Sequence, residues 1–273
     1  MRLEQLERKA FDCGGLRLNW FDAGGPGLPV VFQHGLCGDA RQTAEAFPDD
    51  PRFRLITLEC RGHGQSEAGP REALSITTFA DDVAALVGHL CLAPAVVGGI
   101  SMGAAIAERL AVRRPELVRA LILARPAWVT AAAPDNMLPN AEVGHLLASY
   151  SPAVASAAFS QTDTARRLAA EAPDNLASLM RFFERAPHDL TSSLLTAVAT
   201  DGPGIVASDL AAVLVPTLVL GHERDAVHPL SHARTLASLI PNAELAIITP
   251  KATDKVAYVD DFHRALQSFL EVL

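Results

Sequence analysis

Apolar positions along the chain fall into two alternating rhythms. Short continuous runs, many of them β-branched, occupy residues 18–21, 29–33, 53–58, 95–100, 120–124, 216–221 and 244–248. Runs of this length bounded by turn residues read as strands. Longer 3.6-residue patterns stand between or after them. Ile76, Phe79, Val83, Leu86, Val87 and Leu90 predict a helix over 75–90 with Ser75 as its N-cap. A second helix is predicted over 102–114, stopped by Pro115, and a last one over 255–273 with the stripe Val259, Phe262, Leu266, Phe269 and Leu273. Strands that are apolar throughout are buried on both faces. The alternation therefore predicts an α/β fold: a mostly parallel central sheet with helices on both faces.

The rhythm breaks between residues 127 and 210. Helical segments divided by Pro134, Pro139, Pro152, Pro173 and Pro187 follow one another there, with no convincing strand. The expected organisation is a core domain made of residues 1–126 and 211–273. Residues 127–210 form a helical cap insertion over the C-terminal edge of the sheet.

Composition narrows the function classes. With 273 residues and 49% hydrophobic content the chain can bury a large single core. A net charge of −8 without basic runs argues against nucleic acid and against an anionic membrane surface. It leaves a small-molecule substrate as the expected partner, since a local pocket can differ in sign from the whole; a homo-oligomer is compatible with it. The charged N-terminus lacks a signal-peptide core, and no apolar run approaches membrane-spanning length, so a cytoplasmic location is expected. Cys13, Cys37, Cys60 and Cys91 form no CxxC pair and are expected as reduced thiols. No metal, dinucleotide or P-loop motif occurs, and neither a metal nor a cofactor is expected.

The strongest chemical signal is Gly99-Ile100-Ser101-Met102-Gly103, placed between a strand and a helix. A serine on so sharp a turn has its hydroxyl exposed, and small neighbours are needed at both glycine positions. Ser101 is the candidate nucleophile. His34-Gly35-Leu36-Cys37-Gly38 follows an earlier strand, and the backbone amides of Leu36 and Met102 are the expected oxyanion donors. Arg125 and Trp128 sit where the chain leaves a strand for the insertion. They are candidate substrate contacts, with Arg125 clamping a carboxylate or else forming a salt bridge that anchors the insertion. His34 is a third candidate contact, in a position that also suits bracing the loop.

On these motifs the chain resembles the α/β-hydrolase fold superfamily from about residue 15 to the end. Glu59-Cys60-Arg61-Gly62-His63-Gly64-Gln65-Ser66 is similar to a loop of that family, with Glu59 in place of the usual aspartate. The resemblance implies that the acid follows the strand ending at Gly221. Asp225 fits that spacing, with Glu223 as its competitor. It also implies a histidine between the last strand and last helix, yet residues 249–254 contain none, and His263 lies two turns into the helix. His228, in the loop of Asp225, is the first candidate base, and Lys251 the second. The expected activity is hydrolysis of a small ester, lactone or related carbonyl compound through an atypical or incomplete triad. The alternative is a non-hydrolytic member of the fold: a ligand-binding protein, a lyase or a cofactor-independent oxygenase.

Overall fold

The computed structural model describes residues 1–273. Eight strands form one sheet: β1 Glu7–Cys13, β2 Leu16–Asp22, β3 Leu28–Gln33, β4 Phe53–Leu58, β5 Ala95–Ile100, β6 Val118–Ala124, β7 Thr217–Gly221 and β8 Ala243–Ile247. Their spatial order is β1-β2-β4-β3-β5-β6-β7-β8. The β1–β2 and β2–β4 pairs are antiparallel, and every other pair is parallel. The mostly parallel α/β sheet read from the sequence is the observed one. All residues of β5 and all of β7 are buried, as expected for strands covered on both faces.

Eleven α-helices complete the chain: α1 Ala40–Ala46, α2 Ile76–His89, α3 Met102–Arg113, α4 Leu138–Ser149, α5 Pro152–Phe159, α6 Asp163–Glu171, α7 Pro173–Phe182, α8 His188–Ala199, α9 Ala207–Ala211, α10 Leu230–Leu239 and α11 Lys255–Leu270. Ser75 caps α2 by accepting the Thr78 amide at 3.1 Å. Three elements lie outside the sequence reading. In β1 only Phe11 is buried, so the strand has almost no apolar signature. Helix α1 spans two turns, and α10 buries only Ala233 and Leu236.

The core has two halves, one on each face of the sheet. Leu58, Phe79, Val97, Ile106, Leu121 and Val219 belong to one; Phe32, Leu55, Val96, Ile122, Leu220 and Phe262 belong to the other. Between β6 and β7 the chain is helical only. Those helices carry a separate apolar cluster that includes Val143, Phe159, Leu168, Leu179 and Phe183. No helix is long and apolar enough to cross a membrane.

Candidate active site

Strand β5 ends at Ile100, and α3 begins at Met102. Ser101 alone makes the turn, with φ 58° and ψ −111°, a conformation unfavourable for any L-residue. The turn is held where the Ser101 amide donates to the Ala124 carbonyl at 2.9 Å. It also needs bare backbone on either side. A Cβ on Gly99 would lie 2.6 Å from the Gly103 carbonyl carbon, and one on Gly103 would strike the Gln33 carbonyl. Ser101 makes no side-chain capping bond to its own helix, which leaves its hydroxyl free for another partner.

That partner is His228. Its Nε2 lies 2.9 Å from Ser101 Oγ, and its Nδ1 lies 2.9 and 3.0 Å from the two Asp225 oxygens. Asp225 also accepts the His228 backbone amide at 3.0 Å, so the residues three apart close a tight turn that aims the ring. The carboxylate is a pure acceptor, which assigns the ring proton to Nδ1 and leaves Nε2 to accept a hydrogen bond from the serine hydroxyl. Burial lowers the His228 pKa, Asp225 opposes that, and Arg125 reinforces it. Burial would push the Asp225 carboxyl up. Arg125, His228 and His222 outweigh it and hold the group well below the usual carboxylate range.

Arg125 lies within this cluster. Its Nε and Nη2 donate to Asp225 Oδ2 at 2.9 and 2.6 Å, and Nη1 donates to the Tyr258 hydroxyl at 3.3 Å. The guanidinium lines the same cavity as Ser101 but is spent on the acid. The expected carboxylate clamp is therefore replaced by an internal ion pair, tied to the Asp225 loop rather than to the insertion. Two further substrate-contact expectations are corrected. His34 is fully buried: Nδ1 contacts the Gly35 carbonyl at 2.9 Å and Nε2 accepts the Cys60 amide at 3.1 Å. Both ring nitrogens are engaged by backbone, and burial lowers its pKa to about 4. Trp128 is 1% exposed in the main core, with its indole N–H on the Asp201 carbonyl at 2.9 Å. It pins the start of the helical insertion to its end and does not reach the cavity.

The cavity in front of Ser101 has a volume of about 130 Å³. Leu36, Gln42, Ser101 and His228 face it from the sheet side, and Asn140, Asn175, Leu179 and Phe182 from the insertion. Asn175 accepts the amides of Ala226 and Val227 at 2.7 and 3.2 Å and so holds the loop carrying Asp225 and His228. Neither asparagine has a local sequence signature: Asn175 acts on residues far away in the chain, and the Asn140 side chain has no hydrogen bond within it. Lys251 also lines the cavity. His263 is remote from it, with Nε2 2.9 Å from the Glu45 carbonyl. In the His34–Gly38 loop the Gly35 amide is spent on Gln42 Oε1 (2.7 Å), the Cys37 amide on His63 Nε2 (3.0 Å) and the Gly38 amide on the Gly35 carbonyl (2.9 Å).

Residues 29–252 match the family described as the alpha/beta hydrolase fold. The chain is 31% identical over 239 residues to the AB hydrolase superfamily protein YisY of Bacillus subtilis, covering 81% of this chain and 83% of the relative. It is 30% identical over 262 residues to the pimeloyl-[acyl-carrier protein] methyl ester esterase of Chromobacterium violaceum, covering 90% and 96%. Among solved structures, the enol-lactonase of Burkholderia xenovorans superposes with a TM-score of 0.71 at 24% identity, over 96% of this chain and 100% of that one. The chain belongs to the α/β-hydrolase fold family and is an enzyme of its hydrolase class.

Proposed function

We propose that the protein is a serine esterase or lactonase for small substrates, working through Ser101, His228 and Asp225. The observation that carries this reading is the continuous line from Ser101 Oγ through the His228 ring to the Asp225 carboxylate, with both contacts at 2.9 Å. The esterase and enol-lactonase named among its relatives and structural neighbours agree in chemistry. In this reading the histidine comes from the loop of the acid, three residues after it, and not from the segment before the last helix.

The steps follow from the geometry. Ser101 Oγ attacks the substrate carbonyl carbon while His228 Nε2 takes the hydroxyl proton. Asp225 keeps the ring proton on Nδ1 and stabilises the imidazolium that forms. The carbonyl oxygen becomes an oxyanion, which the Leu36 and Met102 amides receive. In support of that role, neither amide donates to an acceptor within the chain, although its neighbours in the loop do. The alkoxide leaves with the proton from His228, and water then attacks the acyl-serine by the same route. The helical insertion, residues 127–210 in this scheme, acts as a cap that limits water and substrate size.

The test is labelling with a serine-reactive fluorophosphonate, together with turnover of short-chain nitrophenyl esters. Wild-type protein is expected to label at Ser101. Ser101→Ala and His228→Ala are each expected to lose at least about 10³-fold in kcat/KM, by similar amounts because they act as a unit. Labelling elsewhere, or a His228→Ala protein that keeps its activity, sinks the reading.

A further inference from the structure

Lys251 stands where the sequence resemblance implied a histidine, and its surroundings give it a different task. It is half-buried on the wall of the Ser101 cavity, and it forms neither an ion pair nor a hydrogen bond. The carboxylates that act on it at a distance are Glu45 and Asp174; Glu45 is paired with Lys255 at 3.0 Å. A cation held partly out of water without a counterion is costly unless a ligand supplies the charge.

Two further observations point to a ligand. Asn140, on α4, is 5% exposed and lines the same cavity, yet its side-chain amide forms no hydrogen bond and its buried Oδ1 is unpartnered. A buried amide of that kind is normally satisfied. Beyond Lys251 the cavity meets a larger groove of about 560 Å³, and the two share Leu36, Gln42, Ser178, Phe182 and Lys251. Arg181 and Arg185 line the groove without a carboxylate partner, while the groove's Asp39 and Glu45 are paired with Arg41 and Lys255: Arg185 is spent on the Gly62 carbonyl and the Thr191 hydroxyl, and the Arg181 guanidinium has no hydrogen bond within the chain. A cationic entrance on a chain of net charge −8 is a local feature that favours an anion over a neutral ester.

We propose that the substrate is an ester or lactone bearing a carboxylate, which Lys251 receives at the junction of cavity and groove while the Asn140 Nδ2 amide donates to an oxygen of the same molecule from α4. The inference rests on the Ser101 hydrolase reading for the reaction, but the binding contacts are independent of it. The cavity volume is well below the roughly 300–1,000 Å³ of a drug-sized ligand pocket. The carboxylate therefore lies a few bonds from the scissile carbonyl, as in a monoester of a short dicarboxylic acid.

The experiment separates binding from chemistry. Ser101→Ala protein is titrated calorimetrically with monomethyl glutarate and with dimethyl glutarate, which differ in the free carboxylate. The monoester is expected to bind roughly 10-fold or more tightly than the diester. That preference is expected to vanish in Ser101→Ala/Lys251→Met and to persist in Ser101→Ala/Lys251→Arg. Replacing Asn140 by Leu weakens binding of both esters. Equal affinity for the two, no binding of the monoester at millimolar concentration, or a preference that survives Lys251→Met overturns the proposal. A wild-type protein that prefers the monoester yet fails to label with fluorophosphonate keeps this inference and rejects the nucleophile.

Discussion

Asp225 holds more partners than the acid of the proposed triad needs. The His228 ring and backbone amide share Oδ1, the Arg125 fork takes Oδ2, and His222 Nε2 lies 3.4 Å from the same oxygen. Its side chain is wholly buried, so the charge is stabilised by these contacts and not by water. Arg125 stabilises the carboxylate and at the same time opposes a second positive charge on His228. The groups acting on His228 are Asp225 and Asp174, which favour the imidazolium, and burial and Arg125, which disfavour it. In the proposed mechanism His228 must be neutral to act as the base, so the acidic limb of kcat/KM is expected below the ordinary histidine pKa of 6.5. Arg125→Gln removes the opposing cation, and the limb is expected to move to higher pH. The same change leaves Asp225 short of its ion-pair partner and is expected to cost about 3–5 kcal/mol of stability in chemical denaturation. A limb that stays in place or moves to lower pH shows that Arg125 does not tune the base.

Helix α3 shows how one element serves both site and core. Its start must touch β3, which explains glycine at 103, and nearly all of Met102 to Ala111 is buried against the sheet and α2. Glu108 breaks that apolar pattern: it is 1% exposed with an unpartnered Oε1. Burial raises its pKa well above the usual 4.5. The folded state therefore binds this proton more tightly than the unfolded chain. The resulting stability is complete below about pH 4.5 and is lost as pH rises toward the folded value. Glu108→Gln keeps the shape and removes the titration. It is expected to flatten the fall in Tm between acid and mildly alkaline pH, and to gain about 1–3 kcal/mol where the wild-type group is forced to ionise. Parallel Tm profiles for the two proteins refute this account.

Across the whole molecule, the site is assembled from stretches that meet only in the fold: the loop after β3, the β5–α3 turn, the end of β6, the loop after β7, the segment before α11 and the helices between β6 and β7. The insertion holds the Asp225–His228 loop through Asn175, and Asn136 donates to the Ala127 and Val227 carbonyls at 2.8 and 2.7 Å. Asn175→Ala leaves two loop amides without their acceptor. It is expected to lower stability by roughly 1–3 kcal/mol. Because a small misplacement of the imidazole is costly, kcat/KM is expected to fall by up to about 10²-fold. Unchanged kinetics with reduced Tm limits Asn175 to a structural role. The sequence alone determined the elements whose cause is local: continuous apolar runs for the buried strands, Ser75 as a cap, and the glycine pair that lets Ser101 turn so sharply. Through its family resemblance it also favoured Asp225 over Glu223 as the acid and offered His228, then Lys251, as the base, beside an incomplete triad. It was silent on β1, which buries one side chain, on Asn175, whose partners lie in a distant loop, and on Asn140, whose side chain has no partner within the chain. It left His34 between a substrate contact and a brace of its loop, and it offered Trp128 as a contact although the ring is buried in the core, because residue type does not reveal whether a polar atom faces a cavity or a backbone group. Only the tertiary structure decided that Arg125 turns inward to Asp225 and that His228 Nε2 meets Ser101 Oγ. Both are contacts across about a hundred residues of chain, and no local pattern encodes the distance between groups that far apart.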